Sequence, residues 1–309
     1  MKRVLVILTA AALAAAAASV AAPTYQYAGT WGSFGSGPGE FIGPYGLTTA
    51  PNGNVYVIDS STDRVQCFTS AGSFLGQWNN PGGGGIEVSR RGVVYITDSE
   101  AGVVRYYTST GSFVGSWGGL ISPIDVAIAP NGHVYVVEFW RPGVSYYTPT
   151  GSLLGSWGSE GSGPGQFYNP HGTAVALNGT VYVVDNGNSR VQYFTPSGSF
   201  LGMWGKWGEK PGEFDDPTGL DVSRSGIVFV ANTYNDCVDY FSATGSWLGI
   251  FGGSGEGIGQ FSLLHDVAVS PSGVRAYATD YYGCRVQYFD EVTTAVVPES
   301  LGRVKALFR

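Results

Sequence analysis

The chain is 309 residues long, with 48 glycines, 14% aromatic residues and only 13% charged residues. Its 16 basic residues stand against 23 acidic ones, a net charge of −7, so it carries no positive footprint for a nucleic-acid backbone or an anionic membrane surface. The glycines follow no Gly-X-Y period, which excludes collagen, and their placement between aromatic and β-branched runs predicts many short strands joined by tight turns.

The first 22 residues open with Lys2 and Arg3, continue as an apolar run from Val4 to Ala18, and end in the small residues Ser19-Val20-Ala21-Ala22. That layout is expected of a secretory signal peptide, with residues 1–22 removed. Removal leaves 14 basic against 23 acidic residues, a net charge of about −9. No second apolar stretch is long enough to span a membrane. The mature chain is therefore expected to be a secreted protein, extracellular or at the cell surface, and a monomer.

From Tyr25 onward the chain repeats. The segment "WGSFGSGPGEF" at 31–41 returns as "WGSEGSGPGQF" at 157–167 and as "WGKWGEKPGEF" at 204–214. The aromatic residue opening each unit is Trp31, Trp78, Trp117, Trp157, Trp204 and Phe251, at spacings of 47, 39, 40, 47 and 47 residues. A period of 40–50 residues signals a repeat architecture. Each unit runs in the same order. An apolar strand such as DVAIA (125–129) is followed by a Pro-Asn-Gly-type turn and a second strand such as VYVVD (181–185). A polar loop then leads to a third strand such as RVQYF (190–194), and a Gly-Ser turn to a fourth such as GSFLGQW (72–78). Four consecutive antiparallel strands, six times over, predict an all-β fold, a six-bladed β-propeller spanning residues 23–291. The sixth unit stops after its third strand, at 286–291, while "YQYAGTW" (25–31) has no partners in its own unit. This N-terminal strand is expected to complete the last blade and close the ring, leaving residues 292–309 as a tail.

The units resemble the NHL repeat. Gln166-Phe167, Pro170-His171-Gly172, Val181-Tyr182-Val183, Asp185 and Arg190-Val191-Gln192-Tyr193-Phe194 make a good copy of that pattern, and the resemblance runs through about 265 residues. It implies a six-bladed NHL-type propeller and leaves the activity open. The glycine-rich insert is then a connection between blades. A phosphate cradle needs a following helix N-terminus, whereas Pro170 and another strand follow here.

The residue entering each first strand is expected at the mouth of the central channel: Tyr45, Gly84, Ile124, His171, Thr218 and His265. "NPHGTAVA" and "LLHDVAVS" resemble, more weakly, two histidine-bearing segments of the peptidyl-α-hydroxyglycine amidating lyases, NHL-repeat enzymes that hold zinc in the channel. That resemblance implies His171 and His265 as metal ligands, for zinc or another divalent metal. The third corner of the triangle falls on Gly84, a departure from the pattern. Three residues further along each strand stand Thr48, Glu87, Ala127, Ala174, Asp221 and Ala268. Glu87 and Asp221, in opposite blades, are candidates to complete a metal shell, act as base or bind a ligand. Strand register at these positions is not fixed by the sequence.

Asp59/Arg64, Asp185/Arg190 and Asp280/Arg285 recur five residues apart and are read as structural clamps. Cys237 and Cys284, in equivalent loops of adjacent blades, are a disulfide candidate, Cys67 a buried hydrophobe, and His133 a turn residue. Asn178-Gly179-Thr180 is a glycosylation sequon. No nucleophile elbow, H-E-x-x-H or EF-hand loop occurs. The leading reading is a non-enzymatic binding or scaffold propeller taking a protein, peptide or glycan on one face, with Phe139, Trp140 and Tyr234 as aromatic anchors. The alternative is a metal-dependent (zinc) lyase or hydrolase built on His171 and His265.

Overall fold

In the computed structural model, which describes residues 22–292, the predicted architecture is present. Six four-stranded antiparallel sheets form the blades. Their innermost strands, Pro44–Thr49, Gly83–Val88, Pro123–Ile128, Pro170–Val175, Pro217–Val222 and Leu264–Val269, pack side by side around a central channel. The ring closes as expected: Thr24–Trp31 pairs antiparallel with Arg285–Val292 and becomes the outer strand of blade six. The expected signal segment and tail lie outside the described residues, apart from Ala22 and Val292. Among the described residues no helix is long and apolar enough to cross a membrane.

The second strand of each blade is buried along its whole length in blades one to five. This explains why sequences such as VYVID and VYVVD show no polar alternation: both faces meet a neighbouring blade. The tyrosine in these strands keeps its hydroxyl hydrogen-bonded while its ring is buried. Tyr56 donates to Ser109 O, Tyr135 to Pro196 O and Tyr182 to Ala243 O, each a turn carbonyl of the next blade. The blade-ending tryptophans also reach across. The ring of Trp31 lies over Gly72, Trp78 over Gly111 and Trp157 over Gly198. At these turns a Cβ would stand only 2.5–2.7 Å from the indole, and the backbone φ is +86° to +90°, so glycine is required on both counts.

The recurring Asp/Arg pairs clamp the glycine-rich inserts. Arg190 Nε donates to Asp185 (2.7 Å), while its Nη atoms donate to the carbonyls of Ser162, Gly163 and Gln166 at 2.7–3.0 Å. Gln192 donates to Gln166 O as well. Arg64 and Arg285 repeat the arrangement on residues 36–40 and 257–260. The stretch "GSGPGQF" is therefore a tethered crossing between blades.

Cys237 and Cys284 are not paired, which corrects the expected disulfide. Cys237 Sγ lies beside Asp239 within its own blade, whereas Cys284 Sγ points at Ile42 O across the junction with blade one. The two sit one position apart in the repeat: Cys237 opens the third strand of blade five, whereas Cys284 is the left-handed residue (φ +52°) just before that strand in blade six, so their side chains take different directions. Cys67 is buried, as expected. His133 sits in a turn beside Asn131, and Asn178 is exposed in the turn of blade four.

Candidate functional site

The channel residues owe their direction to one irregularity repeated in every blade. Opposite the second strand, each innermost strand carries one extra residue, a β-bulge, between Pro44 and Leu47, Gly83 and Ile86, Pro123 and Asp125, Pro170 and Thr173, Pro217 and Leu220, and Leu264 and Val267. A bulge re-aims side chains. Here it turns Tyr45, Ile124, His171 and His265, with Gly84, onto the axis, where they leave a gap of about 20 Å³, room for about one water. Thr218 occupies the equivalent position but does not line this gap. Its hydroxyl is held between blades five and six, donating to His265 O and facing Thr233.

The turn into His265 is held by Asp236 of the neighbouring blade, which accepts the N–H groups of Leu263 and Leu264 at 2.9 and 3.2 Å. Leu263 itself has φ +65°, a conformation that costs a branched residue of order 1 kcal/mol and that the aspartate holds in place. The His265 ring stacks on Tyr45 with centroids 3.6 Å apart, and His171 lies 6.0 Å from it. Burial pushes the His171 imidazole down to about 4, against a small opposing pull from Asp216. Burial, with repulsion from His171, lowers His265 well below the usual range. Tyr45 is pushed up to about 12 by burial and by the nearby Asp266 and Asp125. At neutral pH the plug is therefore two neutral imidazoles and a neutral phenol. His265 Nδ1 is buried and has no hydrogen-bond partner among the described residues.

Behind the plug lies a chamber of about 60 Å³ walled by four carboxyl groups, Glu87, Asp125, Asp221 and Asp266. Glu87 and Asp221 do face the channel, from blades two and five. Asp125 and Asp266 come from blades three and six, also opposite each other. All four tie neighbouring blades, three of them through a backbone N–H: Asp125 accepts Thr173 N (2.7 Å), Asp221 accepts Val269 N (2.7 Å) and Asp266 accepts Leu47 N (2.8 Å). Glu87 accepts the Thr48 hydroxyl at 2.7 Å. Burial dominates their acidity, raising Asp125 to about 7 and Asp221 to about 6, with Glu87 and Asp266 well above the carboxylate range. Asp125 and Asp266 pack over Gly85 and Gly219, where a Cβ would stand 2.0 and 1.9 Å from a carboxylate oxygen.

Sequence reasoning missed Asp125 and Asp266, yet a signal was present. The residue after each channel position is Gly46, Gly85, Gly172 and Gly219 in four blades and aspartate in the other two.

The histidines and the predicted acids Glu87 and Asp221 line separate compartments of the channel. Among the described residues, no group of three His, Cys, Asp or Glu side chains is arranged to hold a metal ion. Two imidazoles without a third protein ligand do not fit a zinc site of the catalytic type.

Beyond the chamber the channel widens into a vestibule of about 610 Å³ on the opposite face, reached by the turns after the innermost strands. The plugged face instead carries the loops between second and third strands and the inserts between blades. There Phe34, Trp140, Trp207, Tyr234 and Tyr282 are 65–74% exposed. Phe139 packs edge-on against Trp140, with centroids 4.9 Å apart.

Comparison with known proteins agrees with this architecture. The family model described as the NHL repeat matches residues 167–194, and no curated protein matches the chain in sequence. Among solved structures the chain is similar to a streptogramin B lyase (TM-score 0.62, 12% identity, 88% of this chain and 98% of that one). It is also similar to virginiamycin B lyase from Staphylococcus aureus (0.59, 13%, 81% and 96%). A gluconolactonase from Xanthomonas campestris is a third (0.63, 14%, 87% and 100%). At such identities the likeness shows the shared fold. The chain is thus a six-bladed β-propeller carrying an NHL repeat.

Proposed function

We propose that this chain is a secreted, non-enzymatic binding propeller that takes a protein, peptide or glycan on its plugged face. One observation carries the reading: five large aromatic side chains, 65–74% exposed, share that face, around a channel mouth with room for about one water. Exposed aromatics grouped on one surface are the usual anchors of recognition, and a mouth this tight gives a substrate no route to the buried acids from this face. Peptide and glycan arrays probed with the mature protein test it. A Trp140→Ala/Trp207→Ala variant is expected to lose at least tenfold in affinity, and a His171→Ala/His265→Ala variant to keep it. Binding unaffected by loss of the tryptophans overturns the reading.

A second reading, a metal-dependent (zinc) lyase or hydrolase, is favoured by two facts. His171 and His265 do meet at the channel mouth, and similar solved structures are described as lyases and a gluconolactonase. The site supplies two imidazoles, unprotonated at neutral pH, and among the described residues no third side chain is arranged with them to hold a metal. Metal bound by the wild type and lost in the double histidine variant, measured by mass spectrometry, would establish this reading in place of the first.

A further inference from the structure

We propose that the vestibule on the face opposite the plug binds a small organic anion, a carboxylate or a phosphate ester with an apolar body, between Arg90 and Arg224. The site is independent of the aromatic face.

The argument begins with a column of the repeat. The first residue of the turn after each innermost strand is Pro51, Arg90, Pro130, Leu177, Arg224 and Pro271. All six line the vestibule. Four of them are apolar, and the two arginines come from blades two and five, on opposite sides of the ring. In this column charge therefore enters the rim only from two opposite blades.

These arginines are also free. The described residues include eleven Lys and Arg, of which seven are in ion pairs. The four without a carboxylate partner are Arg90, Arg91, Arg224 and Lys210. Two of these four line the vestibule, and Arg91 is the next residue after one of them. In a protein of net charge about −9 after removal of the first 22 residues, most cations are held by acids, and these are not. Guanidinium groups pair strongly and in two-pronged fashion with carboxylates and phosphates.

The cavity suits an organic ligand. Its volume of about 610 Å³ lies within the ordinary range for small-molecule sites, about 300–1,000 Å³. Ile128, Val175, Val222 and Val269 supply apolar wall below the arginines. Glu87 and Asp221 form the floor. Burial raises both carboxyl groups, Asp221 to about 6 and Glu87 well above the carboxylate range, so the floor carries less negative charge than two ordinary carboxylates, with Glu87 the more neutral of the two.

Titration calorimetry on the mature protein at low salt, with naphthylacetate, naphthyl phosphate and inorganic phosphate as probes, tests the proposal. At least one aromatic acid is expected to bind one-to-one, tighter than inorganic phosphate. Arg90→Gln and Arg224→Gln each replace one charge-assisted contact and should weaken binding by about tenfold or more, the double variant to below detection. Binding of naphthylacetate alone assigns a carboxylate ligand, and of naphthyl phosphate alone a phosphate ester. Because both arginines are exposed turn residues, the variants fold, and far-ultraviolet circular dichroism verifies it. A Trp140→Ala/Trp207→Ala variant should bind the probes unchanged, which separates this site from the aromatic face. The proposal is overturned if neither aromatic acid binds, if inorganic phosphate binds as tightly, or if the double arginine variant binds like the wild type.

Discussion

Removing the Asp185 carboxylate should destabilise the protein far more than removing its arginine partner. Asp185 is fully buried and accepts from Tyr168 N (2.8 Å), Asn188 Nδ2 (2.9 Å), Arg190 Nε (2.7 Å) and Gln192 Nε2 (3.0 Å). In Asp185→Ala the Arg190 guanidinium stays in place, 91% shielded from water, with carbonyls but no charge beside it. Breaking a buried pair from one side costs about 3–5 kcal/mol. In Arg190→Met the carboxylate keeps three donors, and Gln166 O keeps the Gln192 amide at 2.6 Å. Only the carbonyls of Ser162 and Gly163, on a partly exposed loop, need water in its place. That cost is about 1–3 kcal/mol. The double variant removes both charges and should be no less stable than Asp185→Ala alone, giving a coupling of about 2 kcal/mol. Equilibrium urea unfolding followed by tryptophan emission reads all three, since the indoles sit at the blade junctions. A cost below about 1 kcal/mol for Asp185→Ala, or a larger cost for Arg190→Met, would refute the clamp.

Two further predictions concern the channel and the cysteines. Carboxyl groups with raised folded values bind protons more tightly in the folded state, so their contribution to stability is lost as pH rises through those values. The histidines, with lowered values, act only below about pH 6.5. Between pH 6.5 and 8 the urea midpoint should therefore fall with pH through Asp125, at about 7, together with Glu87 and Asp266. Asp125→Asn should flatten that slope, and a slope identical to wild type would show the group is not buried as described. Alkylation of the mature protein under denaturing, non-reducing conditions should add three groups, one per cysteine; a single group would reinstate the Cys237–Cys284 bridge.

Much of this was legible in the sequence because propeller blades repeat their punctuation. Tryptophan and the turn glycine beneath it recur at steps of 39–47 residues, and the five-residue Asp-to-Arg spacing returns in three of the six blades; each has a packing role that tolerates little change. Placing Tyr45, His171 and His265 at the axis also followed from alignment, since every blade carries the same bulge. The direction of Glu87 and Asp221 did not, because a bulge just upstream shifts the strand alternation by one. Thr218 shows the converse: it shares the column of the histidines, yet its short hydroxyl is satisfied by His265 O before it reaches the axis. The cysteine pairing failed for another reason. Loop alignment records neighbourhood around the ring, and a disulfide requires two side chains that converge.

The four buried acids also say something about where chemistry can occur. Asp125, Asp221 and Asp266 each accept a backbone N–H from the next blade, so their positions are accounted for by holding innermost strands together. Each such strand has one edge facing the channel and no further strand to satisfy it. Glu87 is different: among the described residues its side chain is tied by the Thr48 hydroxyl and by no backbone N–H, and it borders both the inner chamber and the vestibule. A solute meeting Glu87 must come from the arginine-rimmed side, where the channel holds about 610 Å³ rather than about 20 Å³ at the histidine mouth. The two ends of the channel are thus suited to different partners. The plugged face offers rings to a surface too large to enter, and the open face offers charge and volume to a molecule small enough to be enclosed.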